Sequence, residues 1–149
     1  MGDYGTRIVV DKRIDPVIDI LSDAMRAEGM VPLAQINVRE QFARELSRDF
    51  RRYVLIQGWS PQLAIDALRH NLDAGTVLPV SIAVYELGDG ETTVVANSSF
   101  APVVDDHQWR TTFPVLAALA DRETEKLARV IDRIAHGAVR KCNVHWPRS

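Results

Sequence analysis

Apolar positions recur along the chain with two periods, one typical of strands and one typical of helices. The segments with a strand pattern, rich in β-branched and aromatic residues, are 6–11, 32–38, 53–59, 76–87 and 91–97. The segments in which apolar residues recur every three or four positions are 16–28, 39–49, 61–70 and a long stretch from 114 onward. The predicted order is therefore strand, helix, strand, short helix, strand, helix, hairpin and helix.

Proline, glycine and short polar residues mark the ends of these helices. Pro16 occupies a first helical position, and Asp15 before it can accept hydrogen bonds from the free backbone N–H groups. Ser60 and Pro61 give the same signal for the third helix. Gly29 follows the first helix and can adopt the left-handed conformation that ends it.

A hairpin is predicted where Gly88, Asp89 and Gly90 separate two strand segments, because glycine readily adopts a positive φ. The same loop could cradle a phosphate or a metal ion, but the further residues that those motifs require are missing, so a turn is favoured. We expect an α+β fold with about five strands in a mainly antiparallel sheet that has a terminal β-hairpin. Helices pack on this sheet, and the last is a long C-terminal helix that the polar segment 120–126 could interrupt.

Length and composition narrow the classes of protein. The chain has 149 residues, 46% of them hydrophobic, which suits a single domain over residues 1–149. The net charge of -2 argues against a nucleic-acid partner. The single cysteine, Cys142, excludes an intrachain disulfide and favours a cytoplasmic location. No export signal or membrane span is predicted.

A series of short motifs lies in the middle of the chain, within Leu46 to Leu68 and Leu72 to Val95. The residues that carry them are Asp49, Phe50 and Tyr53, then Ser60 and Pro61, then Leu78 and Pro79, and finally Asp89 and Gly90. In this order and spacing they resemble the domain-of-unknown-function 302 family. The resemblance is strongest over residues 6–98 and weaker over 99–149, where a loop and the C-terminal helix are expected.

This resemblance implies a fold like that of the TATA-binding protein, a homodimer, and haem as a candidate ligand. It implies no settled function. Members often carry cysteines just before the Asn-Pro and after the Leu-Pro, whereas this chain has Trp59 and Val80 there. A role that depends on those thiols is therefore not expected for this chain.

The candidate ligand-binding residues are His70, His107, Trp59 and Trp109. His70 continues the apolar stripe of its helix and could be an axial haem ligand, although a histidine at a helix end also interacts with the last carbonyl groups. His107 lies in the polar run with Asp105 and Asp106, which favours a solvated loop over a metal site. Trp59 and Trp109 can anchor a core, an interface or a planar ligand.

Other chemistries have weaker support. Glu86 and Glu91 could face each other across the hairpin, but a solvated edge is the simpler interpretation. The arginines between 44 and 52 alternate with acidic residues, which is typical of a partly paired, solvated face rather than an anion site. No motif supports a catalytic triad.

The sequence therefore favours a non-enzymatic, homodimeric, cytoplasmic protein that binds a small apolar or planar ligand. If that ligand is haem, His70 and His107 are its candidate metal ligands and the purified protein should be coloured. The alternatives are an interaction domain without a ligand, and an enzyme of unknown reaction.

Overall fold

A five-stranded antiparallel sheet in the order β1-β5-β4-β3-β2 organises the protein. The computed structural model describes residues 5–88, 90–97 and 106–137. The strands are β1 (Thr6–Val10), β2 (Val31–Asn37), β3 (Tyr53–Trp59), β4 (Val80–Gly88) and β5 (Glu91–Ala96). The helices are α1 (Ile14–Ala27), α2 (Val38–Leu46), α3 (Pro61–His70), α4 (His107–Thr112) and α5 (Pro114–Gly137), with a 3₁₀ helix at Leu72–Val77. The predicted α+β fold is confirmed.

The main core lies between one face of the sheet and the helices α1 and α5. Alternate residues of the strands point into it, because successive side chains of a strand lie on opposite faces. Its members are the aliphatic residues Ile8, Val10, Ile14, Val17, Ile18, Leu21, Ala24, Met25, Met30, Ile56, Val80, Ile82, Val84, Val94, Ala96, Leu127, Val130, Ile131 and Ile134. The apolar stripes of α1 and α5, which recur about every 3.6 residues, therefore pack against the core-facing side chains of the strands, which recur at every second residue.

A second cluster lies outside this core and joins α3, the 3₁₀ helix, α4 and the first half of α5. Its buried residues are Leu63, Ala64, Ala67, Ala74, Leu78, Leu116, Leu119 and Ala120. Larger apolar side chains pack against it and are themselves only partly buried, namely Trp59, Leu68, Val77, Trp109 and Phe113.

The N-terminus of α1 differs from the prediction. The helix begins at Ile14 after Arg13, and Asp15 is not its cap. Instead, Glu86 of β4 accepts a hydrogen bond from the Ile14 backbone N–H at 2.9 Å. Asp15 pairs with Arg52 at 2.8 Å. Glu86, which is 72 positions from Ile14, therefore accepts the hydrogen bond at the helix N-terminus that Asp15 was expected to accept. Local sequence signals cannot predict a contact between residues so far apart in the chain.

Glycine has the expected role at two turns. Gly29 has a φ of 74° after α1, and Gly90 has a φ of 76° in the predicted hairpin between β4 and β5. Gly88 pairs with Glu91, whereas Glu86 lies opposite Thr92. Glu86 and Glu91 therefore do not face each other, because an irregularity between 86 and 88 shifts the register. Asp89 lies outside the described residues.

Two further predictions need correction, and the predicted long C-terminal helix is confirmed. The segment that begins at His107 is a short helix rather than a loop, and the segment from Leu72 forms a 3₁₀ helix rather than a simple end of α3. Helix α5 runs without a break across the polar segment 120–126. Within that segment only Ala120 and Glu123 are buried, and the apolar stripe resumes at Leu127. Among the described residues, no helix is long and apolar enough to cross a membrane.

Candidate functional site

An open cleft between the 3₁₀ helix and the start of α4 and α5 is the candidate site, called here the aromatic cleft. Its volume is about 190 Å³. Its described lining residues are Asn71, Asp73, Ala74, Thr76, Val77, Trp109, Phe113 and Leu116. Small-molecule sites in proteins are concave and mostly apolar, with a few polar groups that fix the ligand's orientation. The aromatic cleft has this composition.

Two aromatic rings form one wall. Trp109 and Phe113 lie one helical turn apart, with ring centroids 5.8 Å apart and planes at 44°. The Phe113 backbone N–H donates to the Trp109 carbonyl at 2.8 Å, which holds this turn closed. Both side chains are partly exposed. They therefore present ring surface to the cleft without being sealed in the core.

Helix α4 is fixed at both ends, although it has only six residues. At its N-terminus, the Asp106 carboxylate accepts hydrogen bonds from the backbone N–H groups of Gln108 at 2.8 Å and Trp109 at 3.2 Å. Farther along, Arg110 makes a two-point ion pair with Asp121 of α5, at 2.6 and 3.2 Å. Such bidentate pairs fix geometry as well as supplying energy. The position of the Trp109 ring thus follows from contacts that hold α4 on α5.

The opposite wall comes from the 3₁₀ helix. Asn71 precedes it, and its side chain accepts a hydrogen bond from the Asp73 backbone N–H at 2.9 Å. The Thr76 hydroxyl donates to the Asp73 carbonyl at 3.0 Å. These contacts replace the hydrogen bonds that a short helix leaves unmade at its ends. They also place the exposed carboxylate of Asp73 at the cleft.

The structure treats the four predicted ligand-binding residues differently. Trp109 lines the aromatic cleft. Trp59 packs on the second cluster but is not one of the described lining residues. His70 and His107 are both exposed, and neither lines the cleft. The sequence did not indicate Phe113 or Val77, although Phe113 follows Trp109 by four residues, the spacing that brings two side chains together on a helix.

Haem fits neither the surroundings of the two candidate histidines nor the aromatic cleft. An axial histidine requires its ring to enter an apolar pocket, whereas His70 and His107 are exposed at helix ends. Ligand pockets for drug-sized molecules measure about 300–1,000 Å³, and the aromatic cleft has about 190 Å³. A macrocycle of four pyrrole rings is larger than this space. Within the described part of the chain, no group of three or more metal-ligating side chains occurs either.

A second surface is the sheet face opposite the main core, called here the open sheet face. One row of directly paired residues crosses four strands: Ile36, Leu55, Ala83 and Val95. All four are partly exposed. On the same face, Tyr53 and Tyr85 stack with centroids 5.2 Å apart and planes at 8°. Apolar side chains on an antiparallel sheet normally face a core, so this row resembles a surface that another element covers.

The arginine-rich segment beside this face is partly paired. Arg44 pairs with Glu40 at 3.4 Å, and Arg52 pairs with Asp15. Arg51 lies over the Phe50 ring, 5.9 Å from its centroid. None of the arginines between 44 and 52 is among the described lining residues of the aromatic cleft.

Comparison with known proteins gives a family without a described activity. The family whose description is "Domain of unknown function DUF302" matches residues 6–134. Among solved structures, the crystal structure of an uncharacterized conserved DUF302 protein from Bacillus stearothermophilus is similar, with a TM-score of 0.72 and 26% sequence identity. The similarity covers 87% of this chain and 96% of that chain. No protein with a curated description matches.

Proposed function

The chain belongs to the DUF302 family, and from that premise we propose that it is a non-enzymatic, homodimeric protein that binds a small planar, largely apolar ligand in the aromatic cleft. The observation that carries the proposal is the pair of partly exposed rings, Trp109 and Phe113, on one wall of a concave surface. Aromatic faces on both a wall and a ligand prefer offset or tilted contacts, and these add to the gain from burying apolar area.

The size of the cleft limits the ligand. A cavity of roughly 150 Å³ lined by apolar side chains holds benzene. The aromatic cleft, with about 190 Å³ and one open side, suits one ring or two fused rings. Val77 and Leu116 supply apolar contacts, and Asn71 and Thr76 supply the polar contacts that would orient a substituent.

A shifted pKa in this protein lies far from the aromatic cleft. Active sites commonly shift the pKa values of their acids and bases. Glu28 has a shifted pKa, which hydrogen bonds from Arg133 and Arg129 lower. Arg129 and the cleft residue Leu116 are 13 positions apart on α5, which is roughly 20 Å at the rise of an α-helix. This shift therefore reflects the packing of α1 on α5 rather than a reactive group in the cleft.

The open sheet face supports the homodimer. A second copy placed on the row Ile36, Leu55, Ala83 and Val95 would cover apolar side chains that the protomer leaves partly exposed. A twofold interface needs one surface that is complementary to itself, and an antiparallel sheet face can meet its own copy. The same row also favours the second candidate function, an assembly domain with no ligand.

Binding is tested by isothermal titration calorimetry with indole as the probe. We expect saturable binding to the wild-type protein and loss of most of the affinity in Trp109→Ala and Phe113→Leu. The control variant is Val115→Ala, which removes an exposed apolar side chain from α5 next to the cleft lining. Far-ultraviolet circular dichroism verifies that each variant is folded. Absence of indole binding by the wild type, or unchanged binding by both ring variants, would reject the aromatic cleft as the site.

Dimerisation is tested by analytical ultracentrifugation. We expect a dimer for the wild type and a monomer for Leu55→Lys, because a charge within an apolar interface is not compensated. Leu72→Lys is the control, since Leu72 is 82% exposed and lies on the 3₁₀ helix rather than on the sheet. A wild-type monomer at high concentration would rule out both the homodimer and the assembly domain.

Haem is tested separately by the absorption spectrum of the protein as isolated and after addition of haemin. From the described geometry we expect no strong band near the blue end of the visible range. A strong band would mean that residues other than those of the aromatic cleft hold a haem.

A further inference from the structure

The aromatic cleft has one formal charge among its described lining residues, and that charge is negative. It belongs to Asp73, whose side chain is exposed at the edge of the cleft. Within the described part of the chain, no arginine, lysine or histidine pairs with this carboxylate. Most of the other described ion pairs hold elements together, as Arg110 and Asp121 do. The Asp73 carboxylate therefore has no such role.

The backbone at Asp73 is held in place, so the position of the carboxylate is defined. Its N–H donates to Asn71 and its carbonyl accepts from Thr76. These two bonds also occupy the Asn71 oxygen and the Thr76 hydroxyl proton. The donors left on this wall are the two N–H groups of the Asn71 amide, and the acceptors are the Thr76 hydroxyl oxygen and the charged Asp73 carboxylate.

The opposite wall favours the same sign of ligand charge. The faces of Trp and Phe rings carry negative electrostatic potential and attract cations, the indole ring most strongly. A carboxylate on one wall and aromatic faces on the other both attract a positive charge and disfavour a negative one. The basic residues nearest in sequence to the lining are Arg69 and His70 before the 3₁₀ helix and Arg110 next to Trp109. None of the three is among the lining residues, and Arg110 pairs with Asp121.

We propose that the ligand of the aromatic cleft is a small aromatic cation, namely a planar ring that carries a protonated amine or a guanidinium group. The ring contacts Trp109, Phe113 and Val77, and the positive group lies at the edge beside Asp73. This inference rests on the proposed function and specifies its ligand class. The same charge pattern disfavours carboxylate-bearing ligands, to which haem belongs through its two propionates.

The test uses three probes that share an indole ring and a two-carbon side chain and differ in charge. They are tryptamine, a cation, tryptophol, which is neutral, and indole-3-acetate, an anion. Titration calorimetry at pH 7 and low salt should give the affinity order tryptamine, then tryptophol, then indole-3-acetate. We expect tryptamine to bind about three- to tenfold more tightly than tryptophol, because cation–π and carboxylate contacts at exposed sites have that size.

Variants assign the charge preference to one carboxylate. Asp73→Asn keeps both backbone hydrogen bonds and should lower the tryptamine affinity about two- to threefold, which leaves only the cation–π part of the preference, while the tryptophol affinity stays unchanged. The control is Asp66→Asn, since Asp66 is an acid on α3 whose carboxylate accepts from Gln62 and does not line the cleft. If Asp73→Asn proves unstable, Asp73→Ser removes the same charge with a smaller side chain. The affinity order of the three probes for the wild-type protein tests the charge preference even if no variant is stable.

The outcomes separate the two proposals. Equal affinity for the three probes, or tighter binding of indole-3-acetate, would overturn the cation preference and leave the aromatic cleft as a site for planar ligands. A cation preference that Asp73→Asn leaves unchanged would also overturn it. Binding of none of the three probes would reject the proposed function, and this inference with it.

Discussion

The main core and the second cluster differ in how deeply they bury their residues. In the main core, large aliphatic side chains such as Ile8, Leu21, Ile82 and Ile131 have no exposed surface. The second cluster buries four alanines and four leucines, and each of those leucines keeps 3–8% of its surface exposed. It leaves its rings, among them Trp109, partly exposed. The comparison teaches that one region buries its large side chains completely while the other leaves apolar ring surface accessible, as the proposed ligand site requires.

The largest expected effect comes from removing a side chain of the main core. Ile82→Ala deletes aliphatic volume from a fully buried site on the central strand β4. We expect it to lower the free energy of unfolding by about 3–4 kcal/mol, because a close-packed core cannot collapse around the cavity. Urea denaturation followed by circular dichroism measures this loss.

The same change in the second cluster should cost less. Leu116 is 5% exposed and lines the aromatic cleft. Because water or neighbouring rings can occupy the space beside an open cleft, we expect Leu116→Ala to cost about 2 kcal/mol, at the low end for such a substitution. It should also weaken indole binding, which Ile82→Ala should not do once folding is verified. Equal losses of stability would contradict the difference between the two regions.

The N-terminus of α1 supplies the next effect. Glu86 accepts the Ile14 N–H and lies near Arg52, with a side chain that is 15% exposed. Glu86→Ala leaves a helix N–H without its partner, and we expect a loss of about 1–2 kcal/mol in the free energy of unfolding. Glu91→Ala, on the other side of the hairpin, is the control and should have little effect. A result in which both variants melt alike would show that this contact does not hold α1 on the sheet.

The smallest expected effect is at the other end of α1. Glu28 accepts hydrogen bonds from Arg129 at 2.8 Å and Arg133 at 2.6 Å, and these lower its pKa. Since the pKa is lower in the folded chain than in the unfolded one, ionised Glu28 contributes stability above the ordinary glutamate range. That contribution is lost as the pH falls through the folded pKa.

Glu28→Gln should therefore destabilise the protein by about 1 kcal/mol at neutral pH, because the two arginines are half exposed and solvent screens the pairs. The difference between wild type and variant should shrink as the pH falls below about 4, where the unfolded-state carboxyl is protonated. Thermal melts at several pH values measure it. A difference that stays constant with pH would assign the effect to packing rather than to charge.

Much of the fold follows from local patterns. The strand over 53–59 was predicted with its observed bounds, and the helix after Pro61, the Gly90 turn and the long helix from Pro114 were predicted from spacing and turn chemistry. Such signals work because each depends on a few neighbouring residues whose backbone preferences are intrinsic. The family follows from the order of the same local motifs.

The candidate site could be predicted from the sequence only in part. Trp109 was identified as a possible anchor, and the structure places it in the cleft. The opposite wall was not predicted, because the 3₁₀ helix after Asn71 has no periodic pattern of its own, and neither Phe113 nor Asp73 was singled out. His70 has the spacing of a buried residue, but it lies at the last turn of α3, where the apolar stripe leaves the cluster and the side chain is exposed.

The sequence by itself determined the elements, their order and the α+β class, because hydrophobic periodicity and helix or turn residues act within a few positions. Only the tertiary structure decided which side chain caps α1, which residues line the aromatic cleft and which face of the sheet stays uncovered. The physical reason is distance along the chain. Glu86 reaches Ile14 across 72 positions, and Asp73 shares a cleft with Trp109, because the packing of helices on an antiparallel sheet brings them together.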